Sequence, residues 1–314
     1  MSTSPFIEGT SIQYAWDSTS LGLLKECPRK YQLTMIDGWR RKGSDLSVHL
    51  RFGLLFHSGL ELYDKIQASH GLSHDDAVDY VLQFLLEQTW DRSEVCPEGA
   101  PWTPDHNAKT RPNLIRSVFW YLEEYANDGA KTIILENGKP AVELSFRFET
   151  DFSGPDGRPF LLSGHLDRLV TFGDDTFVMD RKTTGTTLSS YYFKQYSPDN
   201  QMSLYTLAGK ILYKVPVSGV IIDAAQIAVG FTAFSRGITM RSANQLEEWL
   251  ESTYHWFNTA IELADRGYYP MNEKSCNNYG GCTFRDICSI DPVVRRQFLE
   301  TSFEISHWNP LEER

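Results

Sequence analysis

The stretch Phe177–Gly185, FVMDRKTTG, decides how this chain is read. Phe177, Val178 and Met179 suit a buried β-strand. The same strand then carries Asp180 and Lys182, one residue apart. Side chains alternate along a strand, so these two point to the same face. A carboxylate and an ammonium side by side on a core strand need a reason. One reason is a structural salt bridge at the strand end. The other is a reactive centre.

The segments before it favour company for Asp180. PAVELSFRFET, residues 140–150, alternates as a strand does, and FSGPDGRP turns the chain at its Pro-Asp-Gly core. FLLSGHLDRLVTF, residues 160–172, is a second strand, and Gly173–Asp175 turns into the third. Three such strands form an antiparallel meander. Facing side chains on adjacent strands stand about 5 Å apart, so Asp167 and Asp180 come close. Two carboxylates that near repel by about 4 kcal/mol at an effective dielectric of about 20. A divalent cation offsets this, and hard oxygen ligands suit Mg²⁺ or Mn²⁺. Lys182 beside it could hold a water or stabilise charge on a phosphate.

Around the meander the chain reads as helices. Leu21, Leu24, Cys27 and Tyr31 keep helical spacing, interrupted at Pro28. Residues 46–67 form a second helix, and residues 73–90 a third with Ser73 as its N-cap. Residues 91–110 form a loop, and residues 111–128 a fourth helix. After the meander come a helix over 198–213 capped by Ser197 or Asp199, strands over 218–234, and a long amphipathic helix over 243–267 ending at Gly267. The expected class is α/β, a central mixed sheet flanked by helices, with an N-terminal helical region and a C-terminal cysteine-rich segment.

Bulk properties set limits. With 314 residues and 41% hydrophobic composition, the chain can bury one large core or two small ones. The N-terminus lacks a basic start followed by an apolar run, so it reads as no signal peptide, and the expected location is cytoplasmic. The most apolar long stretch contains Asp223 and Gln226 and reads as two strands rather than a membrane span. A net charge of -11 argues against a surface that grips nucleic acid everywhere, while leaving room for a local basic groove.

GHLD and DRK, preceded by AVELSF and followed by QMSLY, resemble the PD-(D/E)XK nuclease superfamily, specifically its RecB-like branch. That resemblance implies a restriction-endonuclease-like core. It implies that Asp167 and Asp180 bind metal and that Lys182 activates water. The branch's Q-x-x-x-Y motif is matched by Gln201 and Tyr205, whose spacing puts both on one helix face. Its G-x-x-x-H motif is matched by Gly53–His57, which makes His57 a third protein ligand. The main-chain carbonyl of Arg181 would complete the set, and Glu143 matches a Glu that opens the first strand. His165 shares the face of Asp167 and reads more simply as a packed strand histidine. Arg168 alternates away.

Five cysteines occur, Cys27, Cys96, Cys276, Cys282 and Cys288. Clustered cysteines in a reducing compartment suggest ligation before disulfides. Cys276, Cys282 and Cys288 are separated by two five-residue gaps, unlike the tight pairs of zinc sites. One N-terminal cysteine with three near the C-terminus resembles the iron–sulfur subset of the RecB-like branch, which includes helicase-linked nuclease domains and the CRISPR adaptation nuclease. It implies a [4Fe-4S] cluster on Cys27, Cys276, Cys282 and Cys288. Some members have a two-residue first gap, from which this chain departs. Closing about 250 residues in this way would contribute about 5 kcal/mol in a chain-entropy model. Unligated thiols and zinc remain the other readings, and Cys96 reads as a free thiol.

The expectation is one nuclease domain over 1–314, with a helical part at 1–130, a catalytic sheet at 139–235 and a helix with the cysteine segment at 242–314. Its expected function is a Mg- or Mn-dependent DNA nuclease, an exonuclease on single-stranded or resected ends in recombination, repair or phage DNA metabolism. The rivals are a structure-specific endonuclease and a catalytically inactive DNA-binding scaffold. SSYYFKQY, residues 189–196, offers aromatics for stacking bases or for the core. No G-x-x-x-x-G-K-[ST] motif occurs, so unwinding would need a helicase or recombination partner.

Overall fold

Phe52, Phe56 and Leu60 recur at every fourth position and form a fully buried stripe. The helix that carries them is one element of a chain seen here in a computed structural model, which describes residues 4–43, 47–94, 96–213 and 215–312. The side chains of His70 and Tyr279 are outside that description, as are Leu46 of the expected second helix and the outermost residues at both ends. The principal elements are α1 (Ser18–Glu26), α2 (Val48–His70), α3 (His74–Gln88) and α4 (Arg111–Glu124). They are followed by β1 (Val142–Ser153), β2 (Pro159–Phe172), β3 (Asp175–Thr184) and α5 (Asn200–Leu212). The last are β4 (Val217–Ile227), β5 (Thr232–Met240) and α6 (Ala243–Arg266).

The chain divides into two compact units, each assembled from separate stretches. The larger contains Leu46–Leu144 and His165–Arg241, so β2 passes from one unit to the other after Gly164. Within the larger unit the sheet is mixed. β2 and β3 pair antiparallel from Arg168 opposite Met179 to Phe172 opposite Asp175. β3 and β4 run parallel, with Asp180 opposite Ile222 and Lys182 opposite Ala224. Parallel neighbours need a crossover, and α5 supplies it, packing on both strands. β5 returns antiparallel along β4. α2 packs on β3 and α4 on β5, so helices flank the central mixed sheet as expected.

Local signals explain the helix ends. The Ser47 side chain accepts from Leu50 N–H, Ser73 from Asp76 N–H and Asp199 from Met202 N–H, each satisfying an orphan donor. Gly71 ends α2 in the left-handed region at φ 58°. The α2 stripe packs against Val81 and Leu85 of α3, Leu114 and Val118 of α4, and Ala225 and Ile227 of β4. Burying each large apolar side chain contributes about 1.5–3 kcal/mol.

The smaller unit contains Met1–Asp45, Ser145–Gly164 and Ser242–Arg314. Its core is aromatic. Trp16 stacks on Tyr31 at 5.5 Å and meets Phe257 of α6 at 5.3 Å. Phe152, Phe160 and Tyr254 close around Phe257. Ala15–Trp16 is a two-residue strand, parallel to Leu161–Leu162 of β2, which the sequence pattern did not announce. Pro28 breaks the first helix as expected. Cys27 therefore sits at the junction, closing α1 and opening the turn Pro28–Tyr31, with a π-helical turn Gln32–Ile36 after it. A second small core gathers Leu33, Phe284, Ile287, Leu299 and Phe303, with Cys282 and Cys288 packed against it. Beside it Trp39–Arg41 pairs with Phe303–Ile305, again without a period-two signal long enough to read. Among the described residues no helix is long and apolar enough to cross a membrane.

Candidate active site

The register of β2 and β3 determines the centre of the site. The ladder ends at Arg168 opposite Met179. One step on, the Asp167 side chain takes over, and its Oδ2 accepts from the backbone N–H of Arg181 at 2.8 Å. Asp167 Oδ1 makes no hydrogen bond among the described residues. Asp180 is 2% exposed on the adjoining strand. Lys182 Nζ donates to Asp180 Oδ1 at 3.1 Å. It also lies 2.8 Å from Oδ2, so the ammonium meets both oxygens of this buried carboxylate.

α5 and α2 bring the rest. Gln201 Oε1 accepts from Lys182 Nζ at 2.9 Å, and Gln201 Nε2 donates to Tyr205 Oη at 3.0 Å. The four-residue spacing on α5 thus becomes a relay that fixes the lysine head. His57 on α2 points Nδ1 to Asp167 Oδ2 at 3.6 Å. His57, Asp167, Asp180, Lys182, Gln201 and Tyr205 are therefore linked by contacts in one unit, and Arg181 enters through its N–H.

The electrostatics follow from burial. Burial raises the Asp180 carboxyl to about 7, against the pull of Lys182 and with a further push from Asp167. Burial alone would lower Lys182, but Asp180 and Asp167 more than compensate and hold it above the usual lysine value as an ammonium. Burial pulls His57 below the usual histidine value in spite of Asp167, which favours the neutral imidazole that ligates metals. Two carboxylates and a neutral imidazole are a donor set that suits a divalent cation. Among the described residues, however, no three His, Cys, Asp or Glu side chains are gathered closely enough to hold one ion. In this arrangement the Lys182 ammonium is the cation in contact with Asp180.

The opposite face of β3 carries a part that the sequence reading passed over. Arg181 Nη2 meets Asp64 Oδ2 at 2.6 Å, and Arg168 Nη1 meets Asp64 Oδ1 at 3.3 Å, all three deeply buried. Asp64 stands on α2 two turns after His57, so this buried ion triad ties the His57 helix to β3. The signal was present: Asp64 continues the 52, 56, 60 stripe, and a carboxylate on a buried stripe needs a buried cation. Arg168 also donates to Thr132 Oγ1 and the Ala130 carbonyl, which accounts for its turn away from the site. Nearby, buried Asp223 accepts from Tyr121 Oη and from Arg236 Nε, and Arg236 grips Asp128 with both Nη atoms at 2.7 and 2.8 Å.

Other expected residues resolve individually. Glu143 is half-buried at the start of β1 with φ 51°, a left-handed backbone that is uncommon outside glycine. His165 is half-buried on β2. In Ser189–Tyr196 the residues Ser190–Lys194 form a short helix. Tyr192 is buried, and Phe193 lies against Gly237 so closely that a Cβ there would stand 2.2 Å from the ring. Tyr191, 83% exposed, remains open for stacking.

The cysteines separate by unit. Cys96 belongs to the larger one, while Cys27, Cys276, Cys282 and Cys288 all line one small pocket in the smaller. The Asn272 N–H donates to Cys27 Sγ at 3.4 Å. Cys282 N–H bonds the Cys276 carbonyl at 2.9 Å, which folds the first five-residue gap back on itself. Burial raises the Cys288 thiol, against the pull of Arg29 and Arg295. Four thiols line one pocket and an N–H is directed at one sulfur, but among the described residues they are not gathered closely enough to hold an ion.

Comparison with known proteins gives three findings. The sequence model of the PD-(D/E)XK nuclease superfamily matches residues 16–289. No curated protein matches. Among solved structures, the Eubacterium rectale protein named "Putative exonuclease" aligns over 88% of this chain and 89% of its own at 10% identity and a TM-score of 0.47. The protein SSO0001 aligns over 56% and 67% at 14% identity and a TM-score of 0.30.

Proposed function

The chain belongs to the PD-(D/E)XK nuclease superfamily, and from that premise we propose that it is a metal-dependent deoxyribonuclease of the RecB-like branch. The observation that carries this is the buried Asp180 carboxylate, beside Asp167 and with the Lys182 ammonium 2.8 Å from its Oδ2. A scaffold has no physical need for two close carboxylates on adjoining strands.

His57, Asp167, Asp180 and the Arg181 carbonyl would hold Mg²⁺ or Mn²⁺. When bound, such an ion offsets the carboxylate repulsion, polarises the scissile phosphate and makes water a better nucleophile. The chain's own residues do the rest. Lys182 positions the attacking water and stabilises the charge that grows on the phosphate oxygens as the water oxygen bonds to phosphorus and the strand oxygen leaves. Gln201 holds Lys182 in place, and Tyr205 holds Gln201. The preferred substrate is a single-stranded or resected DNA end, attacked as an exonuclease in recombination, repair or phage DNA metabolism. Tyr191 supports this reading as an exposed ring on the segment that follows the metal strand. Unwinding falls to a helicase or recombination partner, and the expected compartment is the cytoplasm.

Cys27, Cys276, Cys282 and Cys288 are assigned to a [4Fe-4S] cluster that staples the first and last parts of the smaller unit. The shared pocket and the Asn272 N–H on Cys27 support it. Protein purified without oxygen should be brown and absorb broadly in the visible; a colourless, zinc-loaded preparation would overturn the cluster.

The test of function is Mn²⁺-dependent release of nucleotides from end-labelled single-stranded DNA by wild type and Lys182→Ala. Equal release by the two would sink the catalytic assignment. A covalently closed single-stranded circle separates the modes, since cutting there identifies an endonuclease.

A further inference from the structure

The smaller unit holds a cavity of about 790 Å³ that borders the proposed cluster at Cys288 and that the proposed nuclease chemistry leaves unused. Its size falls within the range of small-ligand sites, about 300–1,000 Å³. Its lining is unusual for a chain of net charge -11. Arg29, Arg295 and Arg296 face it, opposed by one carboxylate, Asp37. Burial raises the Asp37 carboxyl above the usual aspartate value, which weakens that opposition.

The arginines are held but not consumed. Arg29 Nε donates to the Tyr269 carbonyl at 2.8 Å, and neither Nη atom makes a hydrogen bond among the described residues. Arg295 gives Nε to the Ile290 carbonyl and Nη2 to the Cys288 carbonyl, leaving Nη1. Two guanidinium forks fixed by backbone carbonyls are pre-organised donors for a multi-oxygen anion such as phosphate, two of whose oxygens a fork can meet. Arg296 pairs with Glu300 and is mostly exposed, so it adds only field.

Aromatic surface lies beside the charge. Tyr268, 55% exposed, has the Arg29 guanidinium 5.7 Å from its ring centre, and Trp39 lines the same cavity. The independent observation is Tyr269. It lines the cavity, is 4% exposed, and its buried hydroxyl has no hydrogen-bond partner. A buried hydroxyl without a partner is destabilising, which favours a ligand that accepts from it.

We infer that this cavity binds a phosphate-bearing deoxynucleotide, with the phosphate on Arg29 and Arg295, the base against Trp39 or Tyr268, and Tyr269 Oη donating to it. The inference deepens the nuclease reading, because the ligand is either a released mononucleotide or the phosphorylated terminal nucleotide of a DNA strand.

The test is isothermal titration calorimetry on the full chain in EDTA, with dAMP, deoxyadenosine, inorganic phosphate and a 5′-phosphorylated oligothymidylate as probes. dAMP should bind at least tenfold more tightly than deoxyadenosine or phosphate. Arg29→Gln and Tyr268→Ala should each weaken it at least fivefold. Tyr269→Phe removes only a hydroxyl without a partner, so it should weaken dAMP about threefold or more without lowering the melting temperature. Lys182→Ala, in the other unit, should leave dAMP binding unchanged. Competition between dAMP and the oligomer supports a strand terminus; dAMP binding without competition supports a free mononucleotide. The inference is overturned if neither probe binds, if Arg29→Gln and Tyr269→Phe bind like wild type, or if Lys182→Ala alone abolishes binding. DNA cleavage measured separately keeps the two readings apart. Cutting without dAMP binding removes only the cavity site, and dAMP binding without cutting removes only the nuclease.

Discussion

Asp167, Asp180 and Lys182 stand on long strands whose register is fixed over many pairs, whereas Cys276, Cys282 and Cys288 stand in short turns and a five-residue helix. The carboxylate site is already linked by hydrogen bonds before any ion arrives. The cysteine site has its thiols around one pocket but little backbone regularity to hold them there. The two regions should therefore differ in how far their order depends on a ligand. The sheet can position the first without metal; the second rests on the small core of Leu33, Phe284, Ile287, Leu299 and Phe303, and a bound cluster would add order to it.

Lys182→Ala is the sharpest way to break the first half of this comparison. The predicted outcome is a loss of nucleotide release of about a thousandfold or more, with the circular-dichroism spectrum of wild type. A loss of fold instead would mean that the site, too, depends on its charges for structure. Next in size is Asp64→Ala. It leaves Arg168 and Arg181 buried without their carboxylate, which should destabilise the protein by about 3–5 kcal/mol in urea unfolding. A change under about 1 kcal/mol would show that the His57 helix is held by its apolar stripe alone.

Asp64 also marks the limit of what the sequence carries. The grouping of Asp180, Lys182, Gln201 and Tyr205 was legible because alternation and four-residue spacing are local: Asp180 and Lys182 share a face by parity, and Gln201 reaches Tyr205 across one helical turn. Ser73, Asp199 and Gly267 announced helix ends for the same reason. Long-range partners carry no such mark. Nothing near Arg181 points to Asp64, 117 residues away. Ala15–Trp16 is too short for a period, and its pairing with Leu161–Leu162 is a matter of topology. In SSYYFKQY the pattern could not say which ring faces out. Packing decided it, since Phe193 is held against Gly237 and Tyr192 is buried while Tyr191 is not.

The second half of the comparison is tested by Cys276→Ser set against Cys96→Ser. If thiol ligation orders the smaller unit, Cys276→Ser loses the visible absorbance and about 3 kcal/mol of stability, in line with opening a long closed loop. Cys96 belongs to the other unit, so its serine variant should match wild type in colour and melting temperature. Iron chelation of wild type should reproduce the Cys276→Ser melt. Equal melting of both variants, with colour retained, would remove the ligand dependence claimed for this region.

The smallest expected effect probes how redundantly the carboxylate site is held. Gln201 touches no substrate in this reading; it positions Lys182 through Oε1 and is itself steadied by Tyr205 through Nε2. Removing it leaves Lys182 in contact with Asp180, so the ammonium keeps its charge and one of its two anchors. Gln201→Ala should therefore lower kcat about tenfold, equivalent to about 1.4 kcal/mol of lost positioning, with KM within about twofold. Gln201→Glu keeps an acceptor for Lys182 while exchanging the donor to Tyr205 for a carboxylate charge, so it should recover part of kcat. A change confined to KM would instead make Gln201 a DNA contact. Unchanged kcat would mean that Asp180 alone orients the lysine, and that the site's order resides in the strand rather than in the strand and α5 together.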